Sequence, residues 1–186
     1  MTIDRRFERS ERDLIQAFVR LYKTIPPEQI TVSRLCKEAG ISRYTFYAHY
    51  ENMPDFYAQT EERVVKELIG ILNEYQFDMD TRAMLNNFFS YVYENADVIF
   101  TVFELSNGKS FSIICDVMRD LYLSAWEKES NLPREQLALV HTYIINGWFA
   151  LVRDWWRSGY AVEKEIVIDL FDKVSKFGLY DLVYTI

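Results

Sequence analysis

From Phe7 to Tyr22 the apolar residues Leu14, Ile15, Phe18, Val19 and Tyr22 recur at the i, i+3, i+4 spacing of a helix, with charged side chains on the opposite face. The pattern predicts a first helix that stops at Ile25-Pro26-Pro27, because the residue ahead of a proline is pushed out of the α region. Thr31 suits the N-cap of a short second helix running through Glu38, and Ala39-Gly40 supplies its C-terminal break. Ser42 caps a third helix from Arg43 to about His49. Two short helices around a glycine turn form a helix-turn-helix pattern, with Val32, Leu35, Cys36, Ala39, Ile41 and Phe46 available to lock them together.

From Asn52, an N-cap with Pro54 in the first turn after it, a longer amphipathic helix is expected to about Tyr75. Further helices are expected over residues 81–94, 96–105, 110–130, 134–158 and 163–178. Their joints are Phe77-Asp78-Met79-Asp80, Asn95, Ser106-Asn107-Gly108, Asn131-Leu132-Pro133 and Ser158-Gly159-Tyr160. Phe100 to Leu105 and Phe111 to Cys115 have strand-prone composition, but their spacing fits helices and no hairpin turn flanks them. The expectation is an all-α chain in two parts, residues 1–51 as a three-helix head and residues 52–186 as a larger helical body.

The body carries more apolar surface than one side of a helix can bury. Leu137, Val140, Ile144, Trp148, Leu151 and Trp155 form a stripe, while Leu139, Tyr143 and Phe149 occupy other faces of the same helix. The last helix places Ile166, Leu170, Val174 and Phe177 on one face, with Val167 and Phe171 alongside. A second subunit pairing these two helices into a four-helix bundle would cover the surplus, as would a wholly intramolecular core. For the paired arrangement the expected interface is Leu137, Ile144, Trp148, Leu151, Trp155, Val167, Leu170, Phe171 and Val174.

Composition narrows the chemistry. The 186 residues are 49% hydrophobic and include only six Gly and four Pro, which excludes a disordered or collagen-like chain and fits long helices. Cys36 and Cys115 stand too far apart in sequence for a CxxC site, and two buried thiols suit a reducing cytoplasm. His49 and His141, the only histidines, sit in no HExxH-like motif, so no metal or other cofactor is expected. Neither a nucleophile–base pair nor a phosphate loop is visible, so an enzyme is not expected. The charged start MTIDRRFERSERD and the lack of an apolar run near 18 residues argue for a cytoplasmic protein without a membrane span. The net charge of −7 is divided unevenly: residues 1–50 carry nine Lys/Arg against six Asp/Glu. A basic head on an acidic body is what a polyanion-binding head requires.

Residues 31–56, TVSRLCKEAGISRYTFYAHYENMPDF, resemble the DNA-binding head of the TetR/AcrR family of bacterial transcriptional regulators. Thr31, Val32, Ala39, Gly40, Ser42, Thr45, Tyr47 and His49 match the family's run, with Leu35, Ile41, Phe46 and Tyr50 as apolar stand-ins. Departures are Cys36 at a usual Ala, Pro26-Pro27 near a usual Gly, and Met53 where the family has a phosphate-contacting lysine. The segment 143–160, YIINGWFALVRDWWRSGY, also looks like the C-terminal domain of a Firmicutes-type branch of the same family.

The resemblance implies a duplex-DNA operator as partner, a homodimer, and a small-molecule effector. It implies that Thr31, Ser33, Ser42, Thr45, Tyr47 and His49 clamp the sugar-phosphate backbone. Arg43 and Tyr44, in the first turn of the third helix, are placed to reach base edges. Arg43 could pair bidentately with guanine, worth about 1–3 kcal/mol of discrimination, and Tyr44 could meet a thymine methyl. Thr31 and Ser42 would cap the helices of any helix-turn-helix, Tyr47 also suits the small core, and His49 also suits a solvated helix end. Arg5 and Arg6 read equally as a minor-groove arm or a solvated tail. An effector pocket in the body would draw on Phe88, Tyr91, Phe103, Trp126, His141, Tyr143, Asn146 and Trp148, all of which also suit a plain core or interface. The competing reading is a co-activator or protein-interaction module that keeps the fold and responds to a protein partner, favoured by Met53.

Overall fold

The computed structural model describes residues 5–73, 81–128 and 130–174. Regular structure among them is helical throughout: α1 (Arg5–Tyr22), α2 (Val32–Ala39), α3 (Arg43–His49), α4 (Met53–Asn73), α5 (Thr81–Leu105), α6 (Lys109–Trp126), α7 (Arg134–Arg157) and α8 (Lys164–Val174), plus one 3-10 turn at Pro27–Gln29. Thus the all-α expectation holds, strand-prone segments included.

Local chemistry explains the boundaries. α1 ends as Thr24 and Ile25 both return their N–H groups to the Leu21 carbonyl, and the prolines then lead into the 3-10 turn. Helix α4 starts where expected, because Asn52 Oδ1 accepts from the Asp55 N–H at 2.9 Å while Asp55 Oδ2 accepts from the Glu51 N–H at 2.8 Å. The expected break at Asn95 does not occur. Its side-chain amide donates to the Tyr91 carbonyl at 2.9 Å, one turn back, so residues 81–105 form one continuous helix. Helix α6 stops at Trp126 rather than near residue 130, where the Ser130 N–H caps the Trp126 carbonyl and Ser130 Oγ accepts from Leu132. The joint at Phe77 to Asp80, and the end of the last helix with Phe177, lie outside the described residues.

Two compact units emerge, one from residues up to 64 with 97–107, the other from 65–96 with 108 onward. In the first, Leu14, Phe18, Leu35, Phe46 and Phe56 are fully buried. Phe18 and Tyr50 meet Phe56 edge-on at 5.5 and 5.0 Å between ring centroids. In the second, Phe89, Trp155 and Phe171 interlock, with Phe89 at 6.0 Å from Trp155 and 5.4 Å from Phe171. The turn between α7 and α8 is held by the Trp155 indole, which donates to the Val162 carbonyl at 2.7 Å. Tyr160 there adopts φ 60°, rare for a bulky residue, and its ring lies 4.4 Å from Tyr93. Cys36 and Cys115 are buried free thiols, and burial pushes the Cys115 thiol up to about 11.

Candidate nucleic-acid interface

The α2–α3 turn depends on Gly40, at φ 67° and ψ 28°. A Cβ there would meet nothing within 4 Å, so a side chain would be opposed by backbone conformation alone. The Ile41 N–H then returns to the Cys36 carbonyl at 3.0 Å, closing α2. Both predicted caps form: Thr31 Oγ1 accepts from the Arg34 N–H at 3.3 Å, and Ser42 Oγ accepts from the Thr45 N–H at 3.0 Å.

The two sides of α3 differ in kind. Phe46 is fully buried and Tyr50, just past the helix, nearly so, which locks the inner side to the small core. Outward stand Arg43, Tyr44, which is 86% exposed, and Tyr47, which is 58% exposed. A helix with its side chains is about 10–12 Å across, which a major groove about 12 Å wide admits.

Of the predicted contact residues, Thr31, Ser33 and Ser42 are exposed with Arg43, Tyr44 and Tyr47, while Thr45 and His49 are half-buried. Ser33 and Arg43 come together across the two helices, the guanidinium donating to Ser33 Oγ at 2.7 Å. His49 is no solvated helix end. Its ring stacks on Phe7 of α1 with centroids 3.7 Å apart, and Nε2 lies 2.7 Å from Ser10 Oγ. Burial lowers its pKa, with Glu11 opposing. Arg5 and Arg6 belong to the exposed first turn of α1, so neither is a free arm. Within the head Arg20 is paired with Glu38 at 2.7 Å, while the head's Glu11 is paired with Arg63 of α4 at 3.0 Å. Met53, half-buried, opens α4 beside Asp55, whose carboxyl is held below the usual range by the Gln59 amide and the Glu51 N–H.

The predicted pocket residues scatter. Phe88, Trp148 and Phe171 meet, with Phe88–Trp148 centroids at 6.5 Å and Trp148–Phe171 at 3.8 Å. Trp126 and His141 face each other at 6.3 Å inside the α6–α7 core. His141 is 3% exposed, and neither ring nitrogen has a hydrogen-bond partner among the described residues. Burial is the larger and Arg119 the smaller cause that lowers its pKa. Tyr91 is half-buried and bonded to Glu67, and Phe103 is buried. Tyr143, 82% exposed, and Asn146 lie on the outer surface of α7 and line no interior space in this chain.

The residues expected at an interface divide by their burial in the single chain. Leu137, Trp155, Val167 and Phe171 are buried in the chain's own body, and Ile144, Trp148 and Leu151 are half-buried. On α7 the open apolar positions are instead Leu139 and Tyr143. On α8 they are Ile166, Leu170 and Val174. The helical period allowed either stripe of α7 to turn inward, and the stripe with the larger side chains did. Among the described residues no three His, Cys, Asp or Glu side chains form a metal-holding group, and no single helix is long and apolar enough to cross a membrane.

The family model of a transcriptional regulator C-terminal region, of the TetR type, matches residues 80–176. The chain belongs to the TetR family of transcriptional regulators. Its fold is similar to that of a TetR-like transcriptional regulator from Rhodococcus sp. RHA1, with a TM-score of 0.69 at 16% identity over 92% of this chain and 96% of that one. The transcriptional regulator from Aquifex aeolicus VF5 gives 0.67 at 16% identity over 91% and 99%. The fatty acid degradation regulator FadR from Bacillus halodurans gives 0.66 at 16% identity over 91% and 96%. No curated protein matches by sequence. In this TetR-family chain, two residues of the head escaped sequence reasoning: Phe7 and Ser10, whose partner His49 stands 39 positions from Ser10. Phe7 interrupts the charged start of α1 as an isolated aromatic, and that was the available signal.

Proposed function

We propose that this TetR-family chain is a dimeric DNA-binding repressor whose operator affinity falls when a small molecule binds the body, with residues 1–51 reading DNA and residues 52–186 regulating and dimerising. The observation that carries this reading is α3: a capped helix, fixed on one side by Phe46 and presenting Arg43, Tyr44 and Tyr47 on the other. Arg43 reads a base edge while Thr31, Ser33, Ser42, Thr45, Tyr47 and His49 hold the backbone. A second copy covers Leu139, Tyr143, Ile166, Leu170 and Val174, whose joint exposure on two sequential helices supports an isologous pair. An effector that prefers one dimer geometry moves the two recognition helices away from the ~34–36 Å separation of successive major grooves. Effector and operator binding are then reciprocally coupled.

Footprinting on the DNA upstream of the chain's own gene tests the reading. Two protected half-sites about one helical turn apart are expected. A folded dimer that protects no half-site there or elsewhere in the genome contradicts it. That outcome would favour the co-activator reading, which Met53 and the adjacent anionic Asp55 support by leaving the start of α4 without a cation.

A further inference from the structure

We infer that Ser10 and Phe7 of α1 are positioning residues for DNA binding: they hold His49 in the tautomer whose outward nitrogen engages a phosphate only when the ring is protonated, so that each subunit takes up a proton as it binds duplex. The inference rests on the DNA-binding reading proposed above.

Ser10 Oγ lies 3.0 Å from the Arg6 carbonyl and 2.9 Å from the Phe7 carbonyl, and both can only accept. With the single hydroxyl proton given to one of these carbonyls, what Ser10 offers His49 Nε2, 2.7 Å away, is a lone pair, and Nε2 is then the donor. In a neutral imidazole with Nε2–H, Nδ1 carries a lone pair. Nδ1 meets no hydrogen-bond partner among the described residues. A phosphate oxygen is also an acceptor, so the neutral ring repels it. Protonation converts Nδ1 into a charged donor, the stronger kind of phosphate contact.

Phe7 keeps the ring from turning over to exchange its nitrogens, since the two planes lie 27° apart at 3.7 Å between centroids. The surrounding charges are few. From α1, Glu11 draws the proton toward His49, and Arg63 of α4 weakens that pull by pairing with Glu11 at 3.0 Å. From the end of α3 itself, the helix dipole favours the cation, and the Tyr50 hydroxyl stays neutral because burial raises its pKa. Burial keeps the ring neutral near pH 7 in the free protein. A phosphate brought to Nδ1 supplies the anion that reverses this. Affinity then rises as pH falls from the bound-state pKa to the free-state pKa, by at most about tenfold per pH unit per subunit.

The test is duplex affinity of the full chain, by fluorescence anisotropy between pH 5.5 and 8.5, for the parent, His49→Gln and Ser10→Ala, with ¹⁵N spectroscopy of the ring nitrogens in the free protein. Gln can donate to Ser10 without titrating, so His49→Gln should flatten the pH profile. Ser10→Ala frees the ring to carry its one proton on Nδ1, so its profile should also flatten while its affinity at pH 8 holds or improves, which loss of packing would not produce. The ring spectra should show the Nε2–H tautomer above neutral pH, and His141 is the only other histidine to assign. An Nδ1–H tautomer overturns the inference even if DNA binds well, as does an equal pH slope in the parent and His49→Gln. Absence of duplex binding at every pH, with the Nε2–H tautomer observed, overturns the DNA-binding reading and the proton linkage with it.

Discussion

Ser42 separates the stability of the recognition helix from its charge. Helix α3 has seven residues, and the Thr45 N–H at its start is satisfied by Ser42 Oγ at 3.0 Å. Ser42→Ala removes that acceptor and should cost about 0.5–2 kcal/mol, which for a chain of this size lowers Tm by about 2–4 °C per kcal/mol. Ser42→Asp restores a side-chain acceptor, and its charge suits the positive end of the helix, so its stability should match the parent's. On DNA the order reverses. Ser42 is exposed at the end of α3 assigned to the phosphates, and a carboxylate there meets like charge at a cost on the order of 1 kcal/mol per subunit in water-like surroundings. For a dimer that is about 2 kcal/mol, or some thirtyfold in affinity. Urea denaturation and duplex titration of the three proteins read the two quantities separately. If Ser42→Asp binds duplex as tightly as the parent, the N-terminus of α3 does not face phosphate; if Ser42→Ala is as stable as the parent, the cap contributes nothing.

Arg43→Ala should cost about 1–3 kcal/mol per half-site and relax preference at one operator position, measured by competition with base-substituted duplexes; equal losses on specific and random DNA would count against base readout. Tyr143→Asp with Leu170→Asp should give a folded monomer by sedimentation, since both side chains are largely exposed in the single chain, whereas Trp155→Ala should cost about 3–5 kcal/mol of stability as a core truncation. His141 should make the protein acid-sensitive. Its folded pKa is depressed by burial, so the unfolded chain binds the extra proton, and stability is lost as pH falls below the unfolded value near 6.5. His141→Leu should abolish that component in urea melts at pH 7.5 and 5.5, and an unchanged pH dependence would show that another group is responsible.

The head was legible because its signals are local. Caps at Thr31 and Ser42, a left-handed glycine and two prolines each act within one turn of chain, so position along the sequence determines geometry. Asn95 was misread because an asparagine can end a helix or bond back to it, and only the neighbouring turn decides. The face of α7 could not be chosen from its period, since apolar residues lie on more than one side. Burial of Leu137 and Trp155 against exposure of Leu139 and Tyr143 is a tertiary outcome. His49 depended on Phe7 and Ser10 across a gap in sequence that no motif spans.

The central claim is that α3 reads duplex DNA. The most direct measurement is the affinity of the full-length protein for the duplex upstream of its own gene, and for a shuffled duplex, as salt is raised. Log K should fall linearly with log salt by about 0.9 per phosphate contacted, with the upstream duplex bound more tightly throughout and the difference reduced in Arg43→Ala. A folded dimer whose association with both duplexes is undetectable, or is independent of salt, would contradict it.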